Sequence, residues 1–189
     1  MRRLLFIPIV HTNAEVLLPS GPVDTIANEF WRVTEHYFQI SDLPLNGAKV
    51  YQDNLPDLDE DLVQRTVDNA LPTSPNMNFV RWLKSQGAKI MGTENYELLV
   101  RQRDAMLAGN AREAYRIAAE RDVQIAGRIS SSLEEGELGI LLLGMGHKIE
   151  DKTHLFDGIE LEVPSPIREF YELNRDREIG YDLSRYRRL

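Results

Sequence analysis

Cysteine is absent from all 189 residues. That removes disulfides, thiolate nucleophiles and Cys-ligated zinc or iron–sulfur centres, and it leaves histidine nitrogen and carboxylate oxygen as the donors for any metal. Long apolar runs are missing too. Even the stretch 138–145, LGILLLGM, falls short of the ~18 residues a membrane-spanning helix requires. The opening MRRLLFIPIV sets two arginines before a short apolar run, as a signal peptide would, but Pro8 and His11 interrupt it and no small-residue cleavage site follows. It reads as a buried strand. These absences predict a soluble, cytoplasmic protein with no membrane partner.

Positive charge is also in deficit, with 22 Lys and Arg against 30 Asp and Glu and a formal net charge of −8. Nucleic-acid binding rests on Lys and Arg neutralising phosphates, so no nucleic-acid partner is expected. Arg185, Arg187 and Arg188 are a local exception, read as a basic, mobile tail from about residue 180. What remains is ordinary globular material: 42% hydrophobic and 28% charged residues, well mixed, in a length that one core accommodates. A single domain over 1–189 is expected, and self-association is left open.

Five apolar runs rich in Ile, Leu and Val, at 4–10, 48–52, 88–91, 138–143 and 159–163, mostly lack polar alternation. Continuous apolar strands separated by helical segments indicate a mainly parallel sheet covered on both faces, a three-layer αβα sandwich of the α/β class. Helix signals fill the gaps. Pro22 opens a segment that places Ile26, Phe30, Val33 and Tyr37 on one face; Ser74-Pro75 and Ser165-Pro166 each pair an N-cap with a first-turn proline. Thr93 is expected to cap a helix from Glu94 to about Leu107 that Gly109 stops, and Asn110 starts the next, which Gly136 ends. The acidic stretch 53–61 reads as a solvated loop and helix start.

In an open α/β sheet, ligands bind beyond the carboxyl ends of the strands. There the first four strands deliver His11, then Asp53, then Gly92-Thr93-Glu94, then Gly144-Met145-Gly146-His147. Each is followed by a group able to bind metal or move a proton. His36 and His154 fall elsewhere and read as surface residues. Neutral imidazole beside a carboxylate suits zinc, manganese or non-haem iron. Asp53 fits ordinary turn chemistry as well, and Glu94 fits a first-turn acid favoured by the helix dipole. Gly144 and Gly146 do not complete a GxGxxG pattern, since Ile149 stands at the third glycine, and they read as a sharp turn aiming His147. One anomaly precedes that strand. Asp122 lies in an apolar stripe of Tyr115, Ala118, Ala126, Ile129 and Leu133, where a carboxylate needs a partner. It either orients His11 or His147 from behind a metal, or pairs with an arginine such as Arg121.

The run Glu120-Arg121-Asp122, with Ile125-Ala126, Ile129, Leu133 and Gly136, then the strand leading to Gly144-Met145-Gly146-His147, resembles the C-terminal part of the TraB/Tiki superfamily, which includes ChaN-like and erythromycin-esterase-like proteins. The resemblance covers residues 120–147, with a looser echo at Pro8-Ile9-Val10-His11, where the family's histidine is matched and its glycine is not. The family's acidic site residue corresponds best to Glu94, with Glu15 an alternative. The resemblance implies a metal-dependent hydrolase of peptidase or esterase type, or a haem-binding protein. The resulting expectation is a site in which His11, Glu94 and His147 ligate or catalyse, with Asp122, Arg121 and Asp53 behind them, acting on a small-molecule or peptide substrate. The alternatives are a non-catalytic haem or small-ligand binder and a catalytically silent scaffold.

Overall fold

A computed structural model describes residues 1–12, 22–144 and 146–174. Glu15 and the basic tail therefore lie outside the described residues. The five apolar runs form strands β1 (Arg2–Ile9), β2 (Lys49–Pro56), β3 (Lys89–Glu94), β4 (Leu138–Gly144) and β5 (Ile159–Glu162). They build one all-parallel sheet in the order β3-β2-β4-β1-β5. β4 is buried along its whole length, which explains its unbroken LGILLLG. β5 pairs with β1 only as far as Leu5. Beyond it β1 has a sheet neighbour on one side alone, so the strand tolerates Pro8, whose carbonyl accepts a hydrogen bond from the Tyr171 hydroxyl.

Among the described residues six α-helices flank the sheet: α1 (Pro22–Ile40), α2 (Glu60–Asp68), α3 (Pro75–Ser85), α4 (Tyr96–Leu107), α5 (Ala111–Ser132) and, after the last strand, α6 (Ser165–Leu173), with a 3-10 helix at Ile149–Leu155. They fall into two sets, giving the αβα sandwich. α1 packs on α3 and α6, and α2 on α3; α5 packs on α4, β3 and the 3-10 helix. The first set carries an aromatic cluster in which Phe30 meets Trp31, Phe170 and Tyr171, and Phe38 meets Phe79, at centroid separations of 5.1–5.8 Å. Connections stepping toward β3 use this set, and connections stepping toward β5 use the other. The chain thus leaves β1 and β2 on one side of the sheet and β3 and β4 on the opposite side, which opens a crevice at the carboxyl ends.

Local differences from the sequence reading have simple causes. The α3 cap is Ser74, whose hydroxyl accepts from Met77 N, and the α5 cap is Asn110, accepting from Glu113 N, as the spacing predicts. The α4 cap is Asn95, because β3 extends through Thr93 and Glu94 before the chain turns. Pro164 rather than Ser165 occupies the cap of α6. α5 ends at Ser132, short of Gly136, which takes a left-handed turn at φ 83° on the way to β4. The buried face of α5 consists of Ala114, Ile117, Arg121, Asp122, Ile125, Ala126 and Ile129, whereas Tyr115 is 78% exposed and does not belong to it. His36 and His154 are exposed. No helix among the described residues is long and apolar enough to cross a membrane.

Two glycines carry opposite expectations for one chemical change. A β-carbon at Gly92 would collide with the carbonyl of Pro56 and sit 2.7 Å from Asp57 Cα, whereas one at Gly127, exposed on α5, would meet nothing within 4 Å. Urea unfolding should show Gly92→Ala destabilised by about 1–3 kcal/mol or more from overpacking, and Gly127→Ala stabilised by about 1 kcal/mol from helix propensity.

Candidate functional site

The site begins with an irregularity in β2. This strand continues past Gln52 to Pro56, with a register shift against β3 over that interval and Asn54 at φ 59°. Asp53 therefore sits within the strand rather than in a solvated turn, and is 3% exposed. It shares a face with Lys49 and Tyr51, both of which bond Ser132 of α5, so its carboxylate is directed toward α5. β3 ends on Glu94, 1% exposed, and Asp57 N donates to the Glu94 carbonyl at 2.8 Å, tying the ends of the two strands together. Across this level α5 presents the adjacent buried pair Arg121 and Asp122. β4 stops at Gly144, and a turn closed by His147 N donating to Gly144 O at 3.1 Å brings the histidine back over the sheet. Gly144 permits the approach of everything else: a β-carbon there would lie 2.7 Å from Asp53 Oδ2 and 3.2 Å from His11 Nε2.

Arg121 grips Glu94 with two donors, Nε to Oε2 at 3.0 Å and Nη2 to Oε1 at 2.5 Å. Nη2 also reaches Asp53 Oδ1 at 3.2 Å and Asn54 Oδ1 at 3.3 Å, and Nη1 donates to Gln102 Oε1 on α4. The remaining Asp53 oxygen, Oδ2, accepts from Gly144 N at 2.9 Å. Asp122 serves the histidine: its Oδ1 lies 2.6 Å from His147 Nδ1, and its Oδ2 accepts from Lys148 N at 3.0 Å. A carboxylate only accepts, so Nδ1 carries the proton and Nε2 is the inward nitrogen, 3.4 Å from Asp53 Oδ1. His11, whose side chain is 23% exposed, stands at the edge with Nε2 3.7 Å from Asp53 Oδ2.

Three buried carboxylates thus face Arg121 and His147. Burial alone would raise the Asp53 pKa, but His11, His147 and Arg121 outweigh it and hold the group well below the usual carboxylate range. For Glu94 burial prevails over Arg121, with Asp53 adding repulsion, and the pKa is raised. Burial would lower His147, yet hydrogen bonds to Asp122 and Asp53 push it up to about 9.

The structure brings Glu94 and His147 together, as the strand ends suggested, but Asp53 rather than His11 completes the close set. One ligand atom from each of Asp53, Glu94 and His147 lies within 4.8 Å of the others. Of the three partners considered for Asp122, His11, His147 and Arg121, it is His147 that it contacts, while Arg121 turns to Glu94 and Asp53. Gln102 was not anticipated; nothing in its local pattern distinguishes it from any other glutamine on a helix. Comparison with protein-family models, curated proteins and solved structures finds no match for this chain.

In metal-free protein the His147 imidazole should titrate near pH 9, against an ordinary 6.5. Because the folded pKa lies above the unfolded one, the stabilisation is fully present below about pH 6.5 and is lost as pH rises through about 9. NMR of the ring carbon-bound protons measures this directly, and Asp122→Asn should move the midpoint downward. A His147 that titrates near its ordinary value in folded protein would contradict the pairing described.

Proposed function

We propose that the chain is a metal-dependent hydrolase of the TraB/Tiki kind, acting in the cytoplasm on a small-molecule or peptide substrate. The observation that carries this reading is the buried set Asp53, Glu94 and His147, with donor atoms within 4.8 Å of one another. One imidazole nitrogen and two carboxylates make a donor set suited to zinc, manganese or iron. The fit extends outward, since His147 Nδ1 is engaged by Asp122 and Nε2 faces the acids, the arrangement in which a carboxylate fixes the tautomer of a ligating histidine. The excess of buried negative charge favours a hard dication over haem, which would bring further carboxylates of its own.

Asp53, Glu94 and His147 would hold a divalent ion, which would supply Lewis acidity and a nucleophile competent at neutral pH. The chain's residues supply the rest. Arg121 fixes the Glu94 carboxylate by a two-point grip and neutralises part of the acid cluster. Asp122 holds the His147 ring in one tautomer. His11, at the edge of the site with Nε2 toward Asp53, is the remaining imidazole suited to carry a proton between the attacking water and the leaving group.

The test is metal binding by chelator-stripped protein, followed by calorimetry and elemental analysis with zinc and manganese. Wild type should hold one ion per chain. Asp53→Asn, which keeps the side chain's shape, should weaken binding at least about tenfold, and Asp122→Asn by about 10–100-fold through the misoriented His147. His36→Ala, on the exposed face of α1, should change nothing. His147→Ala should lose metal and also cost about 1–3 kcal/mol in metal-free protein, because Asp122 is left buried without its partner. Metal-dependent turnover of ester and peptide panels then tests the reaction. Stoichiometric binding that is indifferent to Asp53→Asn, or no binding at all, would remove the proposal.

A further inference from the structure

A cavity of about 420 Å³ opens between α4 and α5 and reaches Gly146 and His147. That volume lies within the range of small-molecule sites. Ala111, Ala114 and Ala118 recur at three- and four-residue intervals along α5, and their small side chains leave the space that Met106 and Tyr115 flank. Apart from His147 and the Tyr115 phenol, no ionisable side chain lines it. It is a largely apolar groove, open to solvent where Met106 and Tyr115 flank it, with Gln102 and His147 leading to the acid cluster.

Gln102 is the second polar group, and its orientation is set from behind. A guanidinium only donates, so the contact with Arg121 Nη1 identifies the amide oxygen as the atom facing the arginine. The amide nitrogen remains available, with no other hydrogen bond to the described residues. The cavity and the candidate metal set thus share His147, and Gln102 links the cavity to Arg121.

Resting on the hydrolase reading above, we propose that this cavity is the substrate subsite, that it receives an uncharged apolar group attached to an amide or ester, and that Gln102 Nε2 donates to a carbonyl oxygen of that substrate. Charge in the metal-free protein disfavours an acid: Asp53, Glu94 and Asp122 outnumber Arg121 and a protonated His147, so a ligand carboxylate beside His147 would meet net negative charge that only a bound dication would balance. A hydrocarbon group gains from leaving water for a wall of Ala, Met and Tyr, and a neutral carbonyl finds a donor where the chamber ends.

Octanamide and octanoate are the probes, titrated into both metal-free and zinc-loaded protein and followed by NMR and calorimetry. In metal-free protein octanamide should bind at least about tenfold more tightly than octanoate, a difference of about 1.4 kcal/mol. Ala118→Trp should weaken octanamide at least about tenfold by filling the chamber, with metal content retained. Ala111→Phe, at an exposed helix position, provides the same test should the Trp variant fail to fold. Gln102→Leu should weaken octanamide about tenfold, the worth of one hydrogen bond. Equal affinity for the two probes in metal-free protein overturns the charge argument, and octanamide binding untouched by Ala118→Trp and Ala111→Phe overturns the location. The two readings fail separately: octanamide binding without metal binding rejects the hydrolase and keeps an apolar ligand site, while metal binding without octanamide binding rejects the subsite alone.

Discussion

Burying a carboxylate costs several kcal/mol even after the surroundings relax, and among the described residues this protein buries three around one arginine and one histidine. Arg121 and His147 make that arrangement tenable. Arg121 occupies the position from which one guanidinium satisfies both oxygens of Glu94 while still reaching Asp53 and Asn54, and it is held there by being on α5, the helix laid across the strand ends. Asp122 follows immediately on the same helix and is thereby carried to His147. The two neighbours divide the work: one supplies positive charge to the acids of β2 and β3, the other supplies an acceptor to the histidine after β4. The absence of a side chain at Gly144 and the bulge that turns Asp53 inward are local adjustments that let these groups meet.

Much of the fold was legible because burial writes itself into composition. β4 lies between two strands and beneath helices, so its positions are apolar without alternation, and β1 reads the same way, whereas the edge strand β5 alternates Ile and Leu with Glu. What could not be read was where each strand stops. Thr93 resembles a helix cap, but the chain stays extended for two more residues because Thr93 Oγ1 donates to the Gln52 carbonyl and Glu94 remains paired beside β2. Tyr115 shares a helical stripe with core residues, yet at this end of α5 it is Ala114 and Ile117 that pack with Leu98 and Ala105 of α4, which leaves Tyr115 open.

For the site, the rule that parallel strands deliver functional groups at their carboxyl ends located Glu94 and His147 and flagged Asp53. Its weakness was in ranking. Asp53-Asn54 followed by Pro56 has the composition of a turn, and only the return of β2 to its pairing with β3 at Pro56 keeps it in the sheet. Asp122 was recognisable as a buried acid in want of a partner. Its choice of His147 over Arg121 depends on which way each side chain leaves the helix, a three-dimensional fact that helical spacing leaves open.

The order of strands in the sheet bears on how the molecule comes to exist. β1 and β2 are not neighbours; β4 separates them, and until it inserts the chain has a lone first strand and a detached β2–β3 pair. The segment that ends this division runs from α5 into β4, and it carries Arg121, Asp122, Gly144 and His147. Closure of the sheet and assembly of the cluster are therefore one event, dependent on contacts far apart in sequence and slow to form by comparison with helix pairing. Before it, Asp53 and Glu94 are two acids side by side without a cation, so electrostatics works against the partly folded chain and toward completion. Folding intermediates of this topology would be deprived of the site altogether, rather than holding a weakened version of it.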